Sequence, residues 1–293
     1  MKIAFIGAIE FSKRALELLI EMRLDVVGVC TLENSNFNAD HSDLGKICQE
    51  SNISWTFTPD INSEESLRWL ENKGPDVIFC FGWSKLLGKR LLDIAPLGVI
   101  GFHPAALPAN RGRHPLIWAL VLGLNETAST FFFMNESADG GDILSQRKVQ
   151  ILEYDDATTL YEKVTICALD QIRIFVPQLA SGKIPRIVQD DRKANAWRKR
   201  DGVDGQIDWR MSAYSIYNLV RGLTKPYIGA HFLYQGQEIR VWKAEMVNNI
   251  ARNIEPGKIF DIKEGKAIVK CGENAIQLVK TEPRFNPSCG EYL

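Results

Sequence analysis

The first half of the chain alternates short apolar runs with amphipathic segments, and this alternation limits the possible folds more than any other feature. Short apolar runs are typical of buried strands, and the segments between them have the period of helices. The pattern predicts an α/β domain with a mostly parallel sheet. The predicted strands are Lys2–Ile6, Val26–Thr31, Ser54–Thr56, Val77–Phe81, Gly98–Phe102, Ser129–Met134 and Ile143–Ile151. The predicted helices are Ser12–Met22, Ser42–Ser51, Ser63–Asn72, Lys85–Ile94, Pro115–Leu122 and Ala157–Ser181.

The second half of the chain has a different pattern. Residues 185–204 are polar and charged without clear periodicity, which is typical of a linker between domains. Short alternating runs then recur about every ten residues between turn signals, and this spacing predicts a small β-barrel. We therefore expect a first domain over residues 1–184, a linker over 185–204 and a second domain over 205–293.

Composition excludes several classes of protein. The 293 residues carry 35 Lys and Arg against 36 Asp and Glu, so the chain lacks the basic excess that is typical of nucleic-acid binding. The six cysteines lie far apart without a CxxC pair, so we expect neither a disulfide framework nor a metal site. No apolar run approaches the roughly 20 residues that span a bilayer. We expect a cytoplasmic protein that does not enter a membrane.

Polar residues follow two of the predicted strands. His103 comes directly after the run that ends at Phe102, and Asp139 lies in the glycine-containing segment after Ser129–Met134. Strand ends are where open α/β sheets place their reactive groups. A histidine and a carboxylate can form an acid–base pair, so we predict that His103 and Asp139 are catalytic. The alternative for Asp139, and even more for Asp142, is a turn that caps the strand.

The segment after His103 predicts an anion site. Arg111 and Arg113 precede the helix that is predicted to begin near Pro115. Guanidinium groups beside a helix N-terminus suit a phosphate, so we expect Arg111, Arg113 and His114 to contact the substrate. The alternative is an exposed surface loop.

Two other strand ends carry candidate ligand contacts. Residues 81–87 form an aromatic-rich rim whose backbone amides could hold a flat heterocycle. Gly7 follows the first strand, but the remaining glycines of the GxGxxG fingerprint are missing, which argues against a dinucleotide site. Ile9 and Phe11 are candidates for lining the substrate site. The alternative for the rim is ordinary packing of a strand onto the next helix.

Two long blocks of sequence resemble the 10-formyltetrahydrofolate-dependent formyltransferases. They are FCFGWSKLLGKRLLDIAPLGVIGFHPAALPANRGRHPLIWAL and STFFFMNESADGGDILSQ. Three later segments, DGQIDW, NLVRGLTKPYIGAHF and PGKIFDI, are similar to the OB-like C-terminal domain of the tRNA and sugar branches of this family. The resemblance implies a Rossmann-like catalytic domain, an OB-like β-barrel after it, and 10-formyltetrahydrofolate as the co-substrate.

The resemblance also implies roles for individual residues. The family has a catalytic Asn, His and Asp; His103 and Asp139 match two of them, and Gly101 stands at the Asn position. Losing one oxyanion donor typically costs about 100- to 1000-fold in rate. We expect Asn110 to supply an amide instead, with His114, a backbone N–H or a bound water as alternatives. The residues implied to bind the folate are Phe81, Gly82, Trp83, Ser84, Leu86, Ala138, Gly140 and Asp142.

The same resemblance implies that the acceptor is the amine of a nucleotide-linked amino sugar. The tRNA branch carries a basic insertion after the second strand, whereas residues 31–40 here are acidic and polar, which serves a phosphate-rich partner poorly. The RGRHP segment looks closer to enzymes that formylate a 4-amino-4,6-dideoxy sugar on UDP or dTDP, a pseudaminic acid precursor being one candidate. The alternatives are a methionyl-tRNA formyltransferase, a non-catalytic folate-binding relative and hydrolysis of the formyl-folate. The second domain could bind substrate or form a homodimer.

Overall fold

The computed structural model describes residues 1–34 and 39–293. The packing divides the chain into two compact units. The first unit consists of Met1–Gly112, Ala128–Val149 and Lys163–Trp197, and the second of Arg113–Thr127, Gln150–Glu162 and Arg198–Leu293. The domain boundaries at residues 184 and 204 stay predictions. The acidic stretch 31–40 falls partly outside the described residues.

The N-terminal part of the chain alternates strands and helices. The strands are β1 (Lys2–Ile6), β2 (Asp25–Thr31), β3 (Trp55–Phe57), β4 (Val77–Cys80), β5 (Val99–His103), β6 (Arg111–Gly112), β7 (Glu126–Phe133) and β8 (Ile143–Gln150). The helices are α1 (Glu10–Glu21), α2 (Gly45–Glu50), α3 (Glu64–Lys73), α4 (Lys89–Leu92), α5 (Pro115–Val121) and α6 (Ala157–Ala180).

The large sheet confirms the predicted α/β class. Its strands are hydrogen-bonded in the order β3-β2-β1-β4-β5-β7-β8, and the pairs from β3 to β5 are parallel. Strand β1 pairs with β2 on one side and with β4 on the other, so the chain changes direction across the sheet at β1. Ligands of open α/β sheets bind outside the carboxyl ends of the strands at such a switch point.

Strand β7 departs from the parallel pattern, and this changes how the predicted acid–base pair is reached. It runs antiparallel to β5, with Phe133 opposite Ile100 and Thr130 opposite His103. The carboxyl end of β7 therefore lies beside the beginning of β5, where the backbone N–H of Met134 donates to the carbonyl of Val99 at 2.7 Å. The segment after β7 must return along β5 to bring any side chain to His103.

Aromatic side chains form the centre of the first unit. Phe5, Phe79, Phe81 and Phe131 are fully buried, and their rings contact one another at centroid distances of 5.2 to 5.6 Å. Each such side chain contributes about 1.5–3 kcal/mol through burial. This core fixes β1, β4 and β7, the strands on which the site loops are mounted.

The second unit is built on a small antiparallel sheet. After the short strand β9 (Ala196–Trp197), the chain forms α7 (Ala213–Leu223) and the strands β10 (Ala230–Tyr234), β11 (Gln237–Val247), β12 (Ile259–Lys263), β13 (Lys266–Lys270) and β14 (Ala275–Glu282). The strands pair in the order β10-β11-β14-β13-β12. Helix α7 packs on this sheet, and Ile117 of α5 is buried in the same core.

The described residues contain neither a candidate membrane-spanning helix nor a cluster of metal-ligating side chains. Within residues 1–34 and 39–293, no helix has both the length and the apolar character that crossing a membrane requires. Over the same ranges, no three His, Cys, Asp or Glu side chains are grouped so that they could hold a metal ion.

The loop after β1 tolerates no side chain at Gly7, and this can be tested. A Cβ at Gly7 would lie 2.5 Å from the Phe81 carbonyl oxygen and 2.6 Å from the Ser12 side chain. We expect Gly7→Ala to lower the free energy of unfolding by about 1–3 kcal/mol, measured by urea denaturation. Gly202→Ala is the control, because Gly202 has φ −61 and open space around it. Equal stability of the two variants would contradict this description of the loop.

Candidate active site

His103 is the last residue of β5 and is almost fully buried, with 5% of its surface exposed. Its Nε2 lies 2.8 Å from the backbone carbonyl oxygen of Asn110. A carbonyl only accepts hydrogen bonds, so Nε2 carries the hydrogen and donates it to Asn110. The imidazole is thereby fixed in orientation, with Nδ1 facing the other way. Asn110 thus contacts His103 through its backbone, which is a different contact from the side-chain amide donation predicted for it.

Asp139 faces that second nitrogen. Its Oδ2 lies 3.6 Å from His103 Nδ1, and the same oxygen accepts a hydrogen bond from the backbone N–H of Gly112 at 2.9 Å. The separation of 3.6 Å is longer than a hydrogen bond, so the imidazole and the carboxylate are ion-pair neighbours when the histidine is protonated. The structure therefore brings together the two side chains that were predicted to form an acid–base pair.

The loop after β7 makes this approach by folding back sharply. Phe133 donates to the carbonyl of Asp142 at 2.8 Å, which closes the loop at its base. A Cβ at Gly141 would lie 1.7 Å from the Phe133 carbonyl oxygen, so only glycine fits there. Asp139 itself has φ +53, a left-handed conformation that Asp adopts more readily than most residues. These features direct the Asp139 side chain to His103.

Residues 110–112 are held by a distant segment of the chain. Arg111 and Gly112 form β6, which pairs in parallel with β9, and the backbone N–H of Asn110 donates to Asn195 Oδ1 at 2.8 Å. The Arg111 guanidinium donates to Gln189 Oε1 at 2.8 Å and to Asp191 Oδ1 at 2.7 Å. The Arg111 guanidinium is thus bound by protein groups, and its contact with the substrate stays a prediction.

The switch point between β1 and β4 forms the second half of the site. Ser12 Oγ donates to the Phe81 carbonyl at 2.5 Å and accepts from the Ile9 N–H at 3.2 Å, which ties the two strand-end loops together. Gly82 has φ +71, and a Cβ there would lie 2.2 Å from Ile9 Cγ1. Ile9 and Gly82 are half-buried at this junction.

Two predicted contact residues at the switch point belong to the core. Phe81 is 0% exposed and Phe11 is 3% exposed, and their rings lie 6.0 Å apart within the aromatic cluster. Little of either ring is exposed, and the contacts of Phe81 with the folate and of Phe11 with the substrate stay predictions. Alternating apolar residues cannot show which ring faces the core and which faces a ligand.

The remaining residues of the predicted folate site stay accessible. Trp83, Ser84, Gly140 and Asp142 are half-buried, whereas Ala138 and Leu86 are exposed, Leu86 by 62%. The indole Nε1 of Trp83 is buried and has no hydrogen-bond partner among the described residues. A buried donor without a partner is costly, so a ligand acceptor at this point would be favourable.

Two side chains that hold the site loops, Gln189 and Asn195, were not predicted from the sequence. Gln189 Nε2 donates to the carbonyls of Asp139 and Gly141 at 2.8 and 2.6 Å, and Asn195 anchors residue 110. Both lie in the polar segment that was predicted as a linker. Their contacts are with residues about 50 to 85 positions away in the chain, which no local pattern reports.

Gly101, at the position of the family's Asn, has no room for a side chain. A Cβ there would lie 2.8 Å from Met134 Cγ and 3.0 Å from Phe132 Cζ. The space beside His103 on this face of β5 is therefore filled by apolar side chains. An amide cannot be restored here without repacking Met134.

Arg113 and His114 belong to the second unit. His114 has φ +54 and precedes Pro115, the first residue of α5. Its Nδ1 accepts from the backbone N–H of Arg200 at 3.3 Å. Burial lowers the pKa of His114 below 6.5, and the charges of Arg113, Lys199 and Arg200 lower this pKa further. Both effects favour the neutral form of the His114 imidazole.

The family models match both halves of the chain. The model described as "Formyl transferase" matches residues 1–170, and "Formyl transferase, C-terminal domain" matches residues 201–287. This chain belongs to the formyltransferase family. It is therefore an enzyme that transfers formyl groups, as the resemblance predicted, and the comparison is independent of the site geometry.

Similar proteins include both branches of the family. The methionyl-tRNA formyltransferase of Caldanaerobacter subterraneus subsp. tengcongensis is 32% identical over 300 residues, covering 100% of this chain and 96% of that protein. A structure of the N-formyltransferase from Helicobacter canadensis with folinic acid and dTDP-3-aminofucose matches with TM-score 0.72 and 14% identity, over 95% of this chain and 98% of that one.

A second solved structure gives the same result for the fold. WlaRD, a sugar 3N-formyl transferase crystallised in the presence of dTDP and 5-N-formyl-THF, matches with TM-score 0.72 and 13% identity, over 97% of this chain and 99% of that one. At these identities the two solved structures are evidence for the fold alone.

The lowered pKa of His114 predicts a dependence of stability on pH. Below pH 6.5 the unfolded chain binds a proton at this residue more readily than the folded chain does, so stability declines as the pH falls through that region. His114→Gln removes this contribution. We expect acidification from about pH 7.5 to about pH 5.5 to lower the Tm of the wild type more than that of the variant. A larger Tm loss in the variant would contradict the assignment.

Proposed function

We propose that this formyltransferase moves a formyl group from 10-formyltetrahydrofolate to the amine of a nucleotide-linked amino sugar, of the UDP- or dTDP-4-amino-4,6-dideoxy type. The observation that carries the proposal is the buried His103 with the Asp139 carboxylate 3.6 Å from its Nδ1. A fixed histidine–carboxylate pair beside an accessible switch point provides the proton transfers that this reaction needs.

We assign the folate co-substrate to the loops at the switch point. Trp83 offers an indole N–H that has no partner among the described residues, and Leu86 offers an exposed apolar side chain. The loop of Ala138, Gly140 and Asp142 supplies backbone groups on the Asp139 side. We assign these residues, with Gly82 and Ser84, to folate binding.

His103 moves the protons of the reaction. A bond forms between the acceptor nitrogen and the formyl carbon, and the bond from that carbon to N10 of the folate breaks. One proton leaves the acceptor nitrogen and one proton must reach N10. His103 Nδ1, which lies 3.6 Å from Asp139 Oδ2, takes the first proton and delivers the second, and Asp139 stabilises the imidazolium in between.

The developing negative charge on the formyl oxygen also needs a partner. Gly101 offers no amide, and its surroundings leave no space for one. We assign this role to the His103 imidazolium, which carries a full charge at the moment the oxygen becomes negative. The side-chain amide of Asn110 stays the predicted second donor, since residue 110 is already tied to His103 through its carbonyl.

The charge of the chain favours a small acceptor. The formal net charge is −1, and residues 31–40 contain acidic but no basic side chains. A tRNA-binding protein gains most of its affinity from Lys and Arg that neutralise phosphates. Arg113, which directly precedes His114 in the sequence, remains our candidate for the diphosphate of the nucleotide sugar.

Methionyl-tRNA is the second candidate acceptor. It is favoured by the 32% identity with the methionyl-tRNA formyltransferase over the whole chain. The two candidates differ in size and charge, so direct binding and activity assays separate them.

An acceptor panel tests the proposed substrate class. We expect formyl transfer from 10-formyltetrahydrofolate to at least one UDP- or dTDP-linked 4-amino sugar, followed by mass spectrometry of the product. We expect initiator methionyl-tRNA to bind weakly. Submicromolar tRNA binding that weakens steeply with salt, together with formylation of the charged tRNA, would replace the sugar proposal with the tRNA one.

Substitution of the pair tests the mechanism. We expect His103→Asn and Asp139→Ala each to lower kcat by at least about 100-fold with little change in Tm. His231→Asn is the control, because His231 lies in the second unit, on β10. Near-normal turnover in either site variant would refute the assigned roles.

A further inference from the structure

Gln189 is a buried side chain in the predicted linker, and it makes four hydrogen bonds. It is 8% exposed. Its Nε2 donates to the carbonyl oxygens of Asp139 at 2.8 Å and Gly141 at 2.6 Å. Its Oε1 accepts from Arg111 Nε at 3.2 Å and from Arg111 Nη2 at 2.8 Å. A primary amide has two N–H donors and two acceptor sites, so the full capacity of this side chain is used.

The partners of Gln189 lie on the two segments that meet at the catalytic histidine. Asp139 and Gly141 belong to the loop after β7, and Arg111 belongs to β6. The neighbouring residue of β6, Gly112, donates its N–H to the Asp139 carboxylate. The amide of Gln189 therefore connects the backbone of the Asp139 loop to the strand that holds the Asp139 side chain.

This connection fixes the distance between β6 and the loop of residues 134–142, here called the Asp139 loop. The pairing of strands in the large sheet does not fix that distance. The Asp139 loop has a left-handed residue at position 139. Its base is closed by the Phe133 N–H, which donates to the Asp142 carbonyl, and within the loop the Gly140 N–H donates to the Ser137 carbonyl at 3.4 Å. Between these points, the Gln189 amide is the described side chain that bonds to the loop backbone on both sides of residue 140. A shift of this loop would move Asp139 Oδ2 away from His103 Nδ1.

We infer that Gln189 is a positioning residue for formyl transfer, which holds the Asp139 loop against β6 so that the carboxylate faces His103. The inference rests on the proposed roles of His103 and Asp139. A displacement of about 1 Å in a catalytic group can cost on the order of 100-fold in rate. Loss of the Gln189 N–H donors would therefore lower turnover even though Gln189 contacts the loop backbone and Arg111 rather than His103.

Two variants distinguish the N–H donors of the Gln189 amide from its oxygen acceptor. Gln189→Met keeps the length of the side chain and removes all four hydrogen bonds. Gln189→Glu keeps oxygen acceptors for Arg111 but replaces the N–H donors with an oxygen that faces two carbonyls. If the donor half positions the Asp139 loop, both variants lose activity, whereas a role confined to Arg111 would spare Gln189→Glu.

Gln171 provides a matched control in the same unit. It is 1% exposed, and its Nε2 donates to Ser145 Oγ at 2.8 Å and to the Ser129 carbonyl at 3.3 Å. It is thus another buried glutamine that bonds to a backbone carbonyl, but the partners of its Nε2 lie within β7 and β8, and its Oε1 accepts from Cys167 Sγ of α6 at 3.8 Å. Gln171→Met measures the cost of losing a buried amide without moving the Asp139 loop.

The experiment measures kcat, KM for the folate and Tm for the full chain and these three variants. We expect Gln189→Met and Gln189→Glu to lower kcat by about 10- to 100-fold with KM changed less than about threefold. We expect Gln171→Met to keep kcat within about threefold while its Tm falls as far as that of Gln189→Met. A kcat for Gln189→Glu within about threefold of wild type, or equal kcat losses in Gln171→Met and Gln189→Met, would overturn the inference.

A spectroscopic measurement separates this inference from the proposed function. The Cε1–H resonance of His103 reports the environment of the imidazole without any acceptor. We expect Asp139→Asn and Gln189→Met to move this resonance in the same direction and Gln171→Met to leave it in place. If the wild type formylates no acceptor, the proposed function fails while this test still stands. An unmoved His103 resonance in Gln189→Met would overturn the positioning role even in an active enzyme.

Discussion

The site depends on one carboxylate oxygen. Asp139 Oδ2 accepts the backbone N–H of Gly112 at 2.9 Å and lies 3.6 Å from His103 Nδ1. The opposite nitrogen of His103 is held by the carbonyl of Asn110, which directly precedes β6. The segment 110–112 thus orients both members of the pair through its backbone. Because backbone groups contact both side chains, the geometry of the pair depends on how the two loops are held.

Much of the fold can be predicted from local pattern. β1 was predicted without error at Lys2–Ile6, since a buried strand after the start of the chain has a clear apolar run. Gly7 also had a local signal, because a glycine after a strand indicates a tight turn. The predicted helix Lys85–Ile94 is shorter in the structure, at Lys89–Leu92, because Gly88 begins it and the residues before it form the rim.

The approach of Asp139 to His103 was predicted for an incomplete reason. The carboxyl ends of two neighbouring strands were expected to bring these residues together. However, β7 runs antiparallel to β5, so the carboxyl end of β7 lies beside the beginning of β5 rather than beside His103. The loop returns because Gly141 allows its backbone to pass against Phe133. The strands β6 and β9, two residues each, and the contacts of Gln189 could not be predicted, because they join segments that are distant in the chain and leave no periodicity.

The most direct test of the central claim is a double-mutant cycle on kcat for His103→Asn and Asp139→Ala. If Asp139 acts through the imidazole, its removal costs nothing further once the imidazole is absent. The double variant should then be no slower, within about threefold, than the slower single variant. Losses that multiply in the double variant would show that the two side chains act independently and would contradict the account.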